Sequence, residues 1–347
     1  MRHTWLLACA GFICATGLGL GAQWLKLPTP GIPRLSDGKP DLNAPAPRTA
    51  DGRPDFSGLW EKAGGDRYNN NIAADLDPGD VAPWADAIYR RRRLEFGKDS
   101  MGTRCLPLGP AYTTSRYQMT RIVQTPTLIA MINDDRTHRE IFMDGRALEP
   151  DPNPTWMGYS VGHWAGDVLV IESNGYTDRS WLDFDGHPHT EALRITERFS
   201  RPDFGHIDLH VTMVDPKAYL KPITFSMPME FQADTEMLET VCENERDRAR
   251  MTSVKPVREV AVPATVLSRY AGVYDVDEQG KPHVVVVTLS GATLWMDYDE
   301  LGKEELVPLS RTRFSWSGTV VEFSTSGGAV NMLIRYVEGD EVGSRRK

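Results

Sequence analysis

The sequence predicts an all-β protein of two units, each an antiparallel barrel or a strongly curved sheet. Three observations carry this. From residue 119 onward, short runs of alternating apolar and polar residues follow one another with turn residues between them. One stretch, 83–96, stands out as helical. A five-residue pattern (aromatic, small, glycine, aliphatic, aromatic) opens each unit, as Phe56-Ser57-Gly58-Leu59-Trp60 and as Tyr270-Ala271-Gly272-Val273-Tyr274.

The chain begins with an export pattern. Arg2 and His3 precede an apolar run, Trp5 to Ala15, and small residues follow to Gly21-Ala22. This predicts a signal peptide over 1–22, cleaved near Ala22, and a periplasmic or secreted protein with no stable membrane insertion afterwards. An uncleaved anchor is the alternative, because Trp5 to Leu25 carries no charge over a length that spans a bilayer. The formal charge of −9 becomes one unit more negative when Arg2 leaves. That argues against a nucleic-acid partner, which requires a basic face. Cys105 and Cys242 are the cysteines beyond the signal. In an oxidising compartment they most simply pair, and such a bridge contributes roughly 5 kcal/mol in the chain-entropy view. A catalytic thiol is the other reading; neither cysteine has a histidine near it in sequence.

Residues 23–56 read as a proline-rich tether or strap, with Asp37-Gly38-Lys39-Pro40-Asp41-Leu42 repeated as Asp51-Gly52-Arg53-Pro54-Asp55-Phe56. The larger unit spans 57–250. Pro83 suits a first helical position, Trp84, Ala87 and Ile88 line one side, and Arg90 to Arg93 read as a solvated face. Strands are expected at 119–124, 127–133 and 138–144. A hairpin joins Tyr159–Trp164 to Val168–Ser173, and further strands fall at 193–201, 206–214, 223–232 and 236–243. On the strand after 206, His206, Asp208 and His210 form a wet outer face opposite Ile207, Leu209 and Val211. Residues 251–262 read as a linker. The smaller unit, 263–347, has about seven strands, among them Val284–Leu289, Thr293–Asp297, Leu306–Leu309 and Val320–Ser324, and no helix.

Two resemblances follow. The segments Arg104-Cys105-Leu106-Pro107-Leu108-Gly109-Pro110, Arg139-Glu140-Ile141-Phe142-Met143-Asp144-Gly145-Arg146, Gly158 to Val170, Gly186-His187-Pro188-His189-Thr190-Glu191 and Cys242-Glu243-Asn244 resemble a family of exported bacterial proteins of unassigned activity over about 50–247. The chain departs from that family at His163 and Ala165, where Arg and Glu are usual. Tyr270 to Tyr274, Leu294-Trp295, Leu306-Val307-Pro308-Leu309 and Arg313-Phe314 resemble the lipocalin-like accessory domain of exported serine β-lactamase-type hydrolases. The catalytic motifs of those hydrolases, Ser-x-x-Lys and Lys-Thr-Gly, are missing. Gly58-x-Trp60 likewise resembles the opening of lipocalin-like barrels, which implies one small ligand in a barrel.

Candidate chemistry centres on two places. Alternation puts Leu193, Ile195, Glu197 and Phe199 on one face, so Glu197 is a carboxylate among apolar neighbours. It suits a general acid or base. It equally suits a structural ion pair with Arg146 or Arg121. The segment from Asp183 to Glu191 gathers Asp183, Asp185, His187, His189 and Glu191. His189 suits acid–base work. A transition metal on His187, His189 and Glu191 is the fallback, and an exposed polar loop is the plain alternative. Gly158-Tyr159-Ser160-Val161-Gly162 fits Gly-x-Ser-x-Gly, and Ser160, Asp183 and His189 stand in hydrolase order, but the helix that a nucleophile elbow requires is not predicted after it.

The favoured reading is an exported barrel protein that handles a partly apolar small molecule, as a cofactor-independent acid–base enzyme (a lyase, isomerase or hydrolase). Glu197 and His189 would transfer protons, with Arg146, Tyr159, Trp164, Trp181 and Asp183 placing the substrate. No cofactor or metal is expected. The alternatives are a non-catalytic binder or carrier of an apolar ligand and an envelope interaction protein.

Overall fold

A computed structural model describes residues 27–64, 66–68, 70–95, 97–109, 111, 119–238, 240, 259–278, 281–299, 302–316, 319–326, 329–335 and 340–346. Two closed β-barrels form, of nine and eight strands. The first comprises β1 (Gly58–Lys62), β2 (Thr120–Gln124), β3 (Leu128–Asn133), β4 (His138–Phe142), β5 (Tyr159–Ala165), β6 (Val168–Asn174), β7 (Arg194–Ser200), β8 (His206–Val214) and β9 (Ile223–Phe231), with α1 (Pro83–Leu94) outside it. The second follows α2 (Ala264–Leu267). It comprises β10 (Gly272–Glu278), β11 (Lys281–Ser290), β12 (Thr293–Tyr298), β13 (Lys303–Pro308), β14 (Arg313–Trp316), β15 (Thr319–Ser326), β16 (Ala329–Arg335) and β17 (Asp340–Arg345).

Period-2 alternation turns one side of each strand inward. In the first barrel Leu169, Ile171, Ile195, Phe199, Leu209, Val211, Phe225 and Met227 fill the interior with Trp60, Ile129 and Ile141. Each such side chain contributes about 1.5–3 kcal/mol of transfer free energy. On β8, Ile207, Leu209, Val211 and Met213 are buried, while His206, Asp208 and His210 face outward as expected.

Strand number forces one junction of this barrel to differ from the rest. Strands around a closed ring can all run antiparallel to their neighbours only when their number is even. Nine strands require a parallel pair, and it falls between β4 and β5. Parallel neighbours need a long crossover, which residues 143–158 provide. Their ladder joins only Ile141 to Ser160 and Phe142 to Val161, whereas the β5–β6 hairpin pairs from Tyr159–Asn174 to Ala165–Val168. The part of β4 before Ile141 therefore lacks a strand beside it on this edge.

The echoed glycines do the same work in both barrels. β1 closes against β9 and β10 against β17. A Cβ on Gly58 would stand 2.6 Å from the Phe231 ring, and one on Gly272 would stand 2.5 Å from Arg345 Nε. Each glycine lets a side chain of the closing strand cross the opening strand.

The amino-terminal repeat forms two matching turns. Asp41 N–H donates to Pro33 O and Asp55 N–H to Pro47 O, both at 3.0 Å. Arg34 and Arg48 each donate to the glycine carbonyl of their own turn. Gly205 and Phe204 N–H donate to Leu42 and Ala44 carbonyls, which binds the strap to the barrel. Phe56 enters the core beside Trp164.

Four expectations are corrected. The helix turns Ala85 and Arg93 inward, and Trp84 and Ala87 stay exposed. Its basic run is no solvated face: Arg93 is buried, Arg90 pairs with Glu305 of β13 at 2.8 Å, and Arg92 stacks over Trp181 at 4.3 Å. This follows from α1 packing beside β14 of the second barrel, so its cations meet that barrel's acids. Residues 236–238 are not strand. The smaller unit does contain a helix, the single turn α2, and it has eight strands. Residues 1–26 and 241–258, which include the expected signal, Cys242 and most of the linker, lie outside the described residues.

Candidate functional site

The first barrel carries a buried polar network below the β4–β5 opening. Arg139 shares the inward face of β4 with Ile141, Ser160 and Ser173 face each other across β5 and β6, and Glu197 lies across from Ile171 on β7. Arg139 Nε donates to Ser160 Oγ at 2.9 Å, and its Nη2 donates to Ser173 Oγ at 2.6 Å and Glu197 Oε2 at 2.5 Å. Ser173 Oγ donates to Ser160 Oγ at 3.0 Å. Arg139 and Glu197 are 5% and 2% exposed. Burial disfavours the charged guanidinium, but Glu197 reverses this and holds the Arg139 pKa above its ordinary value. The buried Tyr176 hydroxyl is raised by burial, a shift that the nearby Arg139 moderates.

Above this network lies a cavity of about 540 Å³. Residues 136–140 form one wall and 155–160 the other, with Pro107 and Phe142 completing it. Phe142 and Tyr159 pack at 5.5 Å between centroids. Arg139 and Ser160 reach the cavity from the network, so an apolar and aromatic lining meets a few fixed polar groups, the usual composition of a small-molecule site.

A second network occupies the loop between β6 and β7. Asp183 is wholly buried and accepts from the backbone N–H of Ile72, Gly186 and His187. It also takes His187 Nδ1–H at 2.6 Å. The His187 ring stacks on Tyr89 of α1 at 3.9 Å. Burial raises the Tyr89 pKa well above its ordinary value. Nearby, His189 Nδ1 lies 3.0 Å from Thr190 O, an acceptor, so Nδ1 carries the proton and Nε2 accepts from Ser180 Oγ at 2.7 Å. Asp215 fixes Thr190 through its N–H and Oγ1. Burial lowers the His189 pKa and keeps the ring neutral. Ser180 and His189 are 2% and 4% exposed. The positive-φ Gly109 leaves room for Ser180: its Cβ would stand 3.1 Å from the serine side chain.

These contacts sort the expected residues. Glu197 pairs with Arg139, not with Arg146 or Arg121, because Arg139 is the cation on the inward face. Arg146 is exposed, holds Asp144 at 2.6 Å, lies 3.9 Å over Phe142 and reaches Tyr159 Oη at 3.5 Å. Tyr159 lines the cavity, Trp164 packs on Phe56, and Trp181 forms a cluster with Met101 against which Trp156, a lining residue of the cavity, packs. Glu197 and His189 belong to different networks. His187, His189 and Glu191 do not form a metal-binding group among the described residues; Glu191 borders a separate cavity of about 330 Å³. Ser160, the serine of Gly-x-Ser-x-Gly, lies on a strand and bonds to Arg139, while His189 finds Ser180. The sequence signal for Arg139 was present, since it alternates with Ile141. Ser180 gave none, because it stands in irregular chain whose path only packing fixes.

No model of a known protein family matches this chain, and no curated protein matches it.

Proposed function

We propose that this chain is an exported small-molecule-binding protein whose first barrel takes a partly apolar ligand at the β4–β5 opening. The observation that supports it is the Arg139–Glu197 pair with Ser160 and Ser173 beneath an aromatic-lined cavity of about 540 Å³. A buried ion pair is weak support for stability alone, since hydrophobic residues of like volume often serve as well. Its place at the floor of a cavity gives it a use, as a rigid polar base for a ligand. Binding is proposed ahead of turnover because Glu197 is engaged by Arg139 and shares no hydrogen bond with His189. Native mass spectrometry of the chain recovered from a periplasmic extract tests this. The expected result is an organic adduct, lost on denaturation and lost from Trp156→Ala. Recovery of the bare chain, together with no binding of apolar dyes, refutes it. Export and the Cys105–Cys242 bridge belong to the same proposal. They predict a mature chain that begins near Gln23 and is two hydrogens lighter than its reduced form.

Ser180 and His189 support a second reading, a serine hydrolase. Ser180 Oγ would attack an acyl carbonyl while His189 Nε2 takes its proton and returns it to the leaving group; water then releases the acyl group. A fluorophosphonate should label Ser180 in the wild type but not in His189→Gln. A wild-type chain left unlabelled after prolonged incubation rules the reading out.

A further inference from the structure

Arg136 occupies a backbone position that suits glycine. It ends the short turn between β3 and β4, where Arg136 N–H donates to Asn133 O and Asn133 N–H to Thr137 O, both at 2.9 Å. A three-residue hairpin loop of this kind places its last residue in the left-handed region, normally as glycine. Arg136 has φ of 68°. Cys105, Asp234 and Asp299 share that region; aspartate tolerates it through local hydrogen bonding, and arginine has no such compensation. Strain of this sort persists where the side chain is useful.

The side chain is in a place to be useful. Arg136 is exposed on the wall of the β4–β5 cavity, and among the described residues its guanidinium has no hydrogen bond or ion pair. Of the other cations nearby, Arg139 is engaged by Glu197 and Arg146 by Asp144, while exposed Arg179 lies over the Trp156 ring at 5.1 Å. His138 and Glu140, on the outward face of β4, also line the cavity, so the anion must sit toward Arg136 and away from the Glu140 carboxylate. Phe142, Trp156 and Tyr159 supply the apolar side of the cavity.

We infer that the cavity takes an amphiphilic anion, with a carboxylate or sulfonate held by Arg136 and an aromatic or aliphatic body against Trp156 and Phe142. This rests on the proposed ligand site and names the ligand's class. Guanidinium presents a planar fork of donors that matches such an oxyanion.

Two dyes test it on the full mature chain: the anionic 8-anilinonaphthalene-1-sulfonate and the neutral N-phenyl-1-naphthylamine. Both should bind with one-to-one saturation and lose affinity in Trp156→Ala. Arg136→Gly should weaken the sulfonate about fivefold, in line with one partly solvated charge-assisted contact, and leave the neutral dye unchanged. The same substitution should raise Tm by about 1–2 °C, because glycine accepts the left-handed backbone without strain. Such a gain in stability with a selective loss of anion binding is not expected of an arginine with a structural role. If both dyes bind and Arg136→Gly alters neither, the anion assignment is overturned while the ligand site stands. If neither dye binds, the ligand site fails as well.

Discussion

Glu197→Gln tests the network at the centre of the first barrel. The substitution keeps shape and removes charge, and it leaves the Arg139 guanidinium inside a barrel where it is 5% exposed. Breaking one side of a buried pair costs about 3–5 kcal/mol. The lower end applies here, because a glutamine oxygen still accepts one of the Arg139 hydrogens and Ser160 and Ser173 accept others. Replacing both partners, as Arg139→Met with Glu197→Leu, removes both charges. Ser160 and Ser173 then keep their mutual hydrogen bond. Glu197→Leu alone removes the acceptor as well as the charge and should cost at least as much as Glu197→Gln, about 3 kcal/mol. The double variant should lose about 1 kcal/mol or less, which makes the coupling at least about 2 kcal/mol in the cycle closed by Arg139→Met and Glu197→Leu. Urea unfolding followed by tryptophan fluorescence measures it, fitted as two transitions because there are two barrels. A double variant as unstable as the sum of the single variants would refute the reasoning, since it would mean that each residue stabilises the barrel independently of the other.

Two further predictions follow from the same contacts. Gly58→Ala should destabilise the first barrel by about 3 kcal/mol, since it combines φ of 145° with a rigid Phe231 ring 2.6 Å away. Gly272→Ala should cost under about 1 kcal/mol, because the obstructing Arg345 side chain can swing aside; equal thermal shifts in the two variants would contradict the contrast. For His189, burial holds the folded-state pKa below its ordinary value of about 6.5, so the unfolded chain takes up a proton first as pH falls. The stability contributed by the neutral ring is complete above about pH 6.5 and is lost progressively below it, toward the lowered folded-state pKa. The urea midpoint should therefore drop between pH 7 and pH 5, and His189→Gln should flatten that drop; an unchanged slope counts against a buried neutral His189.

Much of the fold was legible because alternation is a local signal. The inward faces of β7 and β8, the β5–β6 hairpin and the glycine that opens each barrel are all written in residues a few positions apart. The same alternation placed Glu197 inside. Its partner was not legible, since choosing Arg139 over Arg146 or Arg121 required knowing that β5 and β6 set β4 and β7 within reach of each other on the inner face of the ring. The loop from Gly175 to Ala192 also resisted reading, because it is held by distant backbone and by α1: Asp183 accepts from Ile72 N–H, Arg92 donates to the Gly186 carbonyl, and His187 stacks on Tyr89.

The sequence by itself determined that this is a two-unit β protein, and it determined which residues of most strands face the core. Only the tertiary structure decided that the first ring closes with nine strands. That number forces a parallel junction, and the junction's two-residue ladder leaves the gap where the cavity, Arg136 and the buried network come together. Strand count around a ring is a global property of pairing, and no local pattern encodes it.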